Sequence, residues 1–309
     1  MKYYMFNPLQ VFSFKSILFF LVIMLFGRVT SAQQITHKWE IKPNIGLSRA
    51  EFNWSIAGNL SGTSPNILSE LIWKNLRGPD FGLDVQYQIT DRLYIKAATQ
   101  YTDIVKGDAE DTDYADDNRK NAFYYDLFDA GKGYLLSTQV QLKYRAVNFG
   151  LVSIFPIIAF TYNQHQFNLL ENAGNTQAIG LNSTYQTKYN GFDFGVEAIL
   201  KMKKFYISAG ILNGFYSYSA KANWNLIPAF EKPVSFTQKA NSFALTGYAS
   251  VSIPVNKDLQ FSIDYQINNV NTKKGIDRAY LIGKNIEETR FNGANFRRNT
   301  IAFGFNFLF

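Results

Sequence analysis

The sequence predicts an all-β protein, a transmembrane antiparallel β-barrel of about ten strands, and three observations carry that expectation. The run 300–309 sets Ile301, Phe303, Phe305, Phe307 and Phe309 on one face of an extended strand and Thr300, Ala302, Gly304 and Asn306 on the other. Strand side chains alternate with period 2, so one face is a wall of apolar rings and the other is small or polar. A soluble sandwich would turn the rings inward, whereas a membrane barrel turns them to lipid and fills its lumen with the small and polar groups. Second, alternating runs of this kind recur about ten times, separated by breaks that are alternately long and short. Third, aromatic residues make up 17% of the chain, yet mean hydropathy is −0.14, a balance that fits alternating strands better than long apolar helices.

The N-terminus reads as an export signal over residues 1–32, leaving 33–309 as the barrel. Lys2 and Lys15 supply a basic start, 17–26 is an unbroken apolar core, and Thr30-Ser31-Ala32 offers small residues for cleavage before Gln33. About ten apolar residues are half of what a membrane-crossing helix needs.

Strand one is expected over 38–57, then a turn at 58–66 containing Gly62 and Pro65. Strand two runs over 67–89, with Leu83, Val85, Tyr87 and Ile89 opposed to Asp84, Gln86 and Gln88. Thr90-Asp91-Arg92 makes a tight turn into strand three, where Leu93, Ile95 and Ala97 oppose Tyr94, Lys96 and Ala98. A long polar loop is expected over 106–132. In strand four Leu136, Thr138, Val140, Leu142 and Tyr144 face outward, and Gln139, Gln141, Lys143 and Arg145 inward. A minimal break near Val147 and Asn148 leads to strand five, ending near Leu169, and a second long loop covers 170–184. Strand six alternates Phe192, Phe194, Val196 and Ala198 with Asp193, Gly195 and Glu197, and 201–204 is a short turn.

Strand seven spans 205–219, a loop 220–236, strand eight 240–253 and a short turn 254–258. Strand nine carries the clearest alternation, with Leu259, Phe261, Ile263, Tyr265 and Ile267 outward and Gln260, Ser262, Asp264, Gln266 and Asn268 inward. A loop over 271–293 precedes the last strand. Long outer loops alternating with short periplasmic turns are the asymmetry of outer-membrane barrels, and an even strand count brings both termini to the periplasmic side.

Asp84, Lys96, Lys143, Arg145, Glu197 and Asp264 fall on the lumen face. A ten-stranded barrel barely exceeds the eight strands whose interior fills with side chains, so these charges are expected to pair as structural filling rather than line an open pore. With no Cys, thiolate chemistry and disulfides are excluded. The formal charge is +7; residues 1–32 carry Lys2, Lys15 and Arg28 and no acid, so the remainder keeps 28 basic against 24 acidic side chains. So modest and scattered an excess does not indicate a nucleic-acid partner, but rim cations suit the anionic headgroups of outer-membrane lipid.

A chain ending on a strand that closes with a bare Phe resembles bacterial outer-membrane proteins, whose last strand is an assembly signal. Further motifs narrow the likeness: Asn59-Leu60-Ser61-Gly62 before the first outer loop, Leu71-Ile72-Trp73-Lys74 in strand two, and Val270-Asn271-Thr272-Lys273-Lys274-Gly275 before the last loop. Residues 159–174, with Tyr162, Phe167 and Ala173-Gly174, add a fainter aromatic signature. In order and spacing, over most of the mature chain, these resemble the omptins, ten-stranded outer-membrane endopeptidases that cleave near basic residues. The resemblance implies localisation in the cell outer membrane, contact with lipopolysaccharide at the rim, a peptide or protein substrate at the outer loops, and no cofactor.

The family's catalytic set is an Asp-x-Asp pair facing an Asp-x-His pair across the outer mouth, holding a water for attack on the peptide. Glu110-Asp111-Thr112-Asp113-Tyr114-Ala115-Asp116 matches the first element, so the resemblance makes Asp111 and Asp113 the candidate catalytic carboxylates. Alternate positions on a strand put both on one face, where they can share a proton. Asp108, Glu110, Asp116 and Asp117 crowd the same segment, so a solvated acidic loop is the competing account. The second element departs from the pattern: Ala222 and Trp224 occupy the Asp and His positions. Tyr124-Tyr125-Asp126 keeps the aromatic and the Asp of a further family stretch, but Phe128 and Ala130 replace its Ser and His.

The chain has two His, and neither His37 nor His165 fits the catalytic slot by spacing; His165 is expected in the lumen or at the rim, held by hydrogen bonds. From Asp111 the fifth position is Ala115 and the sixth Asp116, which excludes an EF-hand, and the chain contains no HExxH, P-loop or GxSxG. Two functions stand open: a surface endopeptidase working through Asp111 and Asp113, alone or with a replacement base, and a non-catalytic barrel whose outer loops bind a surface ligand or contribute to envelope architecture.

Overall fold

A computed structural model describes residues 38–172 and 179–309. The segment 1–32, expected to be an export signal, and His37 lie outside the described residues. Fourteen strand segments follow in order: β1 Trp39–Ile56, β2 Ser69–Gln88, β3 Leu93–Asp103, β4 Lys106–Asp116, β5 Lys120–Asp129, β6 Gly133–Tyr144 and β7 Val147–Phe149. Then come β8 Val152–Leu170, β9 Asn182–Lys201, β10 Tyr206–Asn223, β11 Phe236–Pro254, β12 Leu259–Thr272, β13 Gly275–Ala279 and β14 Glu287–Leu308.

These make ten staves. β3 continues into β4, β5 into β6 and β12 into β13, while β7 is a short arm folded back on the start of β8. Neighbouring staves are antiparallel, and β1 pairs with both β2 and β14, so the sheet closes on itself with Ile45 opposite Phe303 and Leu47 opposite Ile301. Closure satisfies the backbone groups of the first and last strands, which lipid could not. Among the described residues no helix is long and apolar enough to cross a membrane; this chain crosses with strands.

The outward face shows where lipid ends. Ile301, Phe303, Phe305 and Phe307 are 46%, 47%, 48% and 40% exposed, whereas inward Thr300 and Ala302 are 3% exposed. The apolar outward band gives way to charge at one level around the barrel: Leu47 is followed by Arg49, Phe81 is preceded by Arg77, and Tyr101 is followed by Asp103 and Lys106. About ten tilted residues cross a bilayer. β1 has 18 and β2 has 20, so the excess rises above the outer leaflet as a wall.

Several expected loops are therefore strands. Of the expected loop 106–132, residues 106–129 form the β4–β5 hairpin, with Asp111 paired to Asp126, because alternation continues beyond lipid, in β4 with charged residues on both faces. Lys74 to Glu110 at 2.5 Å and the two-pronged contact of Arg119 with Glu70 at 2.8 and 2.6 Å stitch the outward side of β2 and this hairpin. β10 likewise runs on to Asn223, and 271–293 contains β13 and the start of β14.

The lumen has two storeys. The lower is polar. Lys96 meets Asp84 at 2.8 Å, Lys42 meets Asp264 at 3.0 Å and Asp84 at 3.5 Å, and Lys143 meets Glu197 at 2.5 Å. Pairing of the lumen charges holds for Asp84, Lys96, Lys143, Glu197 and Asp264. Arg145 differs: it sits at the periplasmic end, against the carbonyl of Asp91 and over the ring of Tyr94. The paired groups, Arg145 not among them, surround a cavity of about 390 Å³. Above it Arg298 pairs with Asp80, which also accepts hydrogen bonds from Thr102 at 2.6 Å and Gln100 at 2.8 Å.

The upper storey is a plug of rings. Phe52 stacks on Phe167 with centroids 4.7 Å apart, and Trp73 and Trp54 each lie 5.6 Å from Tyr185. Tyr218 stacks on Phe291 at 5.6 Å. Phe52, Trp73, Phe167, Tyr185 and Phe291 are fully buried. Lumen positions hold small or polar groups at lipid level, but above lipid the interior faces itself and packs as a conventional apolar core.

Candidate site at the outer mouth

β4 stands on the outer wall because its outward positions, Lys106, Asp108 and Glu110, are charged and could not face lipid. Its inward positions then alternate as Gly107, Ala109, Asp111 and Asp113. Ala109 is buried at 1% exposure, opposite Trp73 on one side and Phe128 on the other. One step higher, Asp111 lies between Leu71 and Asp126, and Asp113 between Ser69 and Tyr124. Asp111 and Asp113 thus share one inward face, joined by Asp126, which the resemblance marks only as the Asp of a further family stretch.

Electrostatics follow from that placement. Burial, followed by the charge of Asp113 and then Asp126, pushes the Asp111 carboxyl up to about 8. Its Oδ1 is buried without a hydrogen-bond partner. Burial also raises Asp113, opposed by a hydrogen bond from Ser69. The Tyr124 hydroxyl is raised by burial and by the three carboxylates around it. Crowded carboxylates cannot all ionise, so one proton stays in the group near neutral pH. Among the described residues no set of three His, Cys, Asp or Glu side chains is placed to hold a metal ion.

The two positions where the resemblance expected an Asp and a His lie four staves further round. Ala222 is 2% exposed and Trp224 9%, and both belong to the upper apolar cluster. The Trp224 ring meets Phe236 edge-on at 4.9 Å, and its backbone N–H donates to Ser235 Oγ at 2.9 Å. Replacing a polar pair by Ala and Trp extends the plug to the rim.

His165 is in the lumen, as expected, but ring contact rather than hydrogen bonding holds it. It stacks on Phe296 with centroids 4.3 Å apart, and its Nδ1 has no partner.

Sequence reasoning missed a second buried polar chain. Gln238 Nε2 donates to Asp277 Oδ1 at 2.9 Å, Gln238 Oε1 accepts from the Tyr185 hydroxyl, and that hydroxyl lies 2.6 Å from the one on Tyr218. Burial pushes Asp277 up to about 7. Its signal in the sequence is the lone Asp277 on an alternating run within 271–293, a segment the sequence predicts to be loop.

A closed ten-stave barrel with a lipid-facing apolar band, an ion-paired lumen and a charged wall above the outer leaflet is an outer-membrane β-barrel protein, and its localisation is the outer membrane. The family model described as Pom, Protochlamydia outer membrane protein, matches residues 42–309, and the chain belongs to that family. Among solved structures, the fold is similar to the outer-membrane protease OmpT from Escherichia coli. That match has a TM-score of 0.70 at 11% identity and covers 90% of this chain and 100% of that one. OprG from Pseudomonas aeruginosa is more distant, at a TM-score of 0.35 and 12% identity over 88% of this chain and 97% of that one. No curated protein matches. At these identities the shared property is the barrel fold.

Proposed function

We propose that this barrel is a surface-exposed binding protein, closed to transport, whose outer mouth holds a ligand rather than cleaving it. The observation that supports this most strongly is the packing of Trp224 and Ala222 into the apolar plug. Asp111, Asp113 and Asp126 share their storey of the barrel with apolar side chains and no histidine. A general base poised near neutral pH contributes roughly 10²–10⁴-fold to such a reaction, and losing it removes most of the activity. The test is cleavage of fluorogenic peptides with paired basic residues by the refolded barrel in detergent with lipopolysaccharide, beside an Asp111→Asn/Asp113→Asn variant. Equal, background rates support binding; cleavage that disappears in the variant overturns it.

One observation favours endopeptidase activity as a second reading. A carboxyl raised to about 8 beside two others retains a proton at neutral pH. One protonated and one ionised carboxyl is the state that carboxylate pairs use to activate water without a histidine.

Outer-leaflet glycolipid of the lipopolysaccharide kind is the proposed lipid partner. Exposed Lys188, Lys221 and Lys239 cluster on adjacent strands above Phe192, Phe215 and Phe243, the height at which phosphorylated headgroups lie over an apolar band.

A further inference from the structure

The lower lumen engages its charges within its own wall and leaves its hydroxyls free. Four acidic and four basic side chains line the cavity of about 390 Å³. Lys42, Lys96 and Lys143 hold Asp84, Asp264 and Glu197 at 2.5–3.5 Å, Arg298 holds Asp80, and Glu40 accepts from Gln86 at 3.3 Å. The serines and amides of β10, β11 and β12 differ. Ser208 stands opposite Ser250, Ser252 opposite Tyr206, and Gln260 opposite Asn306. Ser208, Ser250, Ser252 and Gln260 are half-buried lining residues whose side chains make no hydrogen bond to a described residue. Two buried polar atoms on the same cavity, His165 Nδ1 and Asn306 Oδ1, also have no partner.

The cavity is blind. At its upper end His165 stacks on Phe296 and meets Phe167 of the plug at 6.0 Å. At its lower end the lining reaches Tyr206, Glu40 and Gln260, the first or second residues of β10, β1 and β12, so its mouth is periplasmic. Charge, polarity and size select the occupant. The lining charges cancel, and an ion would have to break a lumen pair to gain a partner, which is costly. An apolar molecule would cover polar groups without pairing them. A neutral molecule rich in hydroxyls can donate to the oxygens of Asn306 and Gln260 and accept from the serines. The volume is at the lower end of that of ligand pockets, about 300–1,000 Å³, and a small barrel has room for one such ligand. We propose that the lower lumen is a binding pit for one neutral polyhydroxylated molecule, a sugar of up to disaccharide size, entering from the periplasm. The pit lies beneath the plug and does not depend on whether the outer mouth binds or cleaves.

The test uses the full barrel refolded in zwitterionic detergent, so that no sugar headgroup competes. Glucose and trehalose are the neutral probes, and glucuronate and glucosamine their charged counterparts. The chain has no Cys, so Ser252→Cys places a single thiol in the pit. Saturating glucose or trehalose should slow methanethiosulfonate labelling of that thiol at least tenfold, and the charged sugars should not. Nuclear magnetic resonance should show saturation transfer from the native barrel to the same neutral sugar. Ser208→Leu/Ser250→Leu, which fills the serine wall, should abolish that transfer while heat-modifiable mobility on gels shows a folded barrel. Were that variant not to fold, the labelling result decides alone, because Ser252→Cys changes one atom. Unslowed labelling with no saturation transfer would show a pit that holds water only and overturn the proposal, and a thiol that never labels would show that the pit has no mouth. Equal protection by the charged sugars, or transfer that survives in the folded Leu variant, would overturn the ligand class or its place.

Discussion

The ammonium of Lys143 on β6 reaches the carboxylate of Glu197 on β9 at 2.5 Å, across the intervening strand β8, with both side chains under a tenth exposed. Tyr248 donates to the other Glu197 oxygen at 2.8 Å, and the Lys143 ammonium also lies 5.4 Å from the Phe155 ring centre. The pair ties together strands that are not neighbours and lines the lower cavity.

Removing one member leaves the other charged and buried, which typically costs about 3–5 kcal/mol, whereas replacing both by apolar groups of similar size is far less harmful. Glu197→Leu should therefore lower the barrel's unfolding free energy by that order. Lys143→Met/Glu197→Leu should recover more than half of the loss. Guanidinium unfolding in lipid vesicles measures both; equal destabilisation of the single and double variants would contradict the pairing.

The plug above it predicts a silent barrel. Phe52, Trp73, Phe167 and Tyr185 pack ring to ring across the outer lumen, and nothing the size of a hydrated ion passes such contacts. In planar bilayers the native protein should give no steady conductance steps, while Trp73→Ala/Tyr185→Ala, which empties the centre of the cluster, should give them. Steady steps from the native barrel would refute the closed lumen.

Why strand order was legible and the outer mouth was not has a physical cause. Lipid imposes strict alternation, so Phe303 and Ala302, or Phe194 and Asp193, announce their faces from the sequence alone. Above lipid that constraint lapses, and in β4 the outward Asp108 and inward Asp111 are the same residue type. The hairpin 106–129 consequently reads as a polar loop. Pairing in the lower lumen followed from charges that must be neutralised, which Asp84, Lys96, Lys143 and Glu197 obey. Asp80 and Arg298 escaped notice because each looked like an isolated charge until β2 and β14 were brought together by closure through β1.

Asp111 gives the outer wall a pH dependence of definite sign. Its folded-state affinity for a proton is raised to about 8, well above that of an exposed carboxyl. The folded hairpin therefore binds more protons than the unfolded one between the two values, so its stability is fullest in acid and falls as pH rises towards 8. Asp277, raised to about 7, acts in the same direction. Hydrogen exchange of peptides covering 106–129 should accelerate between pH 5 and 9 beyond the intrinsic base-catalysed increase, and Asp111→Asn should abolish most of the excess. An unchanged excess in that variant would remove Asp111 as the cause.

Lys188 lies opposite Ser219, and Ser219 opposite Lys239, so two cations flank one serine on three adjacent strands with Lys221 two residues above. Each cation near a phosphate layer contributes about 1 kcal/mol. Lys188→Gln/Lys221→Gln/Lys239→Gln should reduce co-purifying lipopolysaccharide, scored by mass spectrometry, at least tenfold without changing heat-modifiable mobility on gels. Retention at the native level would place the glycolipid elsewhere.

Gly62 turns the Leu-Ser-Gly motif into a fastening. Its φ of 81° is a left-handed conformation that glycine adopts freely. An added Cβ would come within 1.6 Å of the Arg290 guanidinium, which crosses the glycine to donate to the carbonyls of Ser61 at 3.0 Å and Gly62 at 3.1 Å. Asn59 braces the same turn, accepting from the backbone N–H of Gly62 at 2.9 Å and from that of Thr63 at 3.1 Å. Gly62→Ala adds backbone strain of about 1 kcal/mol and evicts the guanidinium, so the first outer loop should detach from β14. The expected signature is faster hydrogen exchange over 58–68 with the barrel strands unchanged. Arg290→Ala should reproduce it, and the double variant should be no worse than either single change, because both break one contact. Additive effects would show that the glycine serves the turn alone.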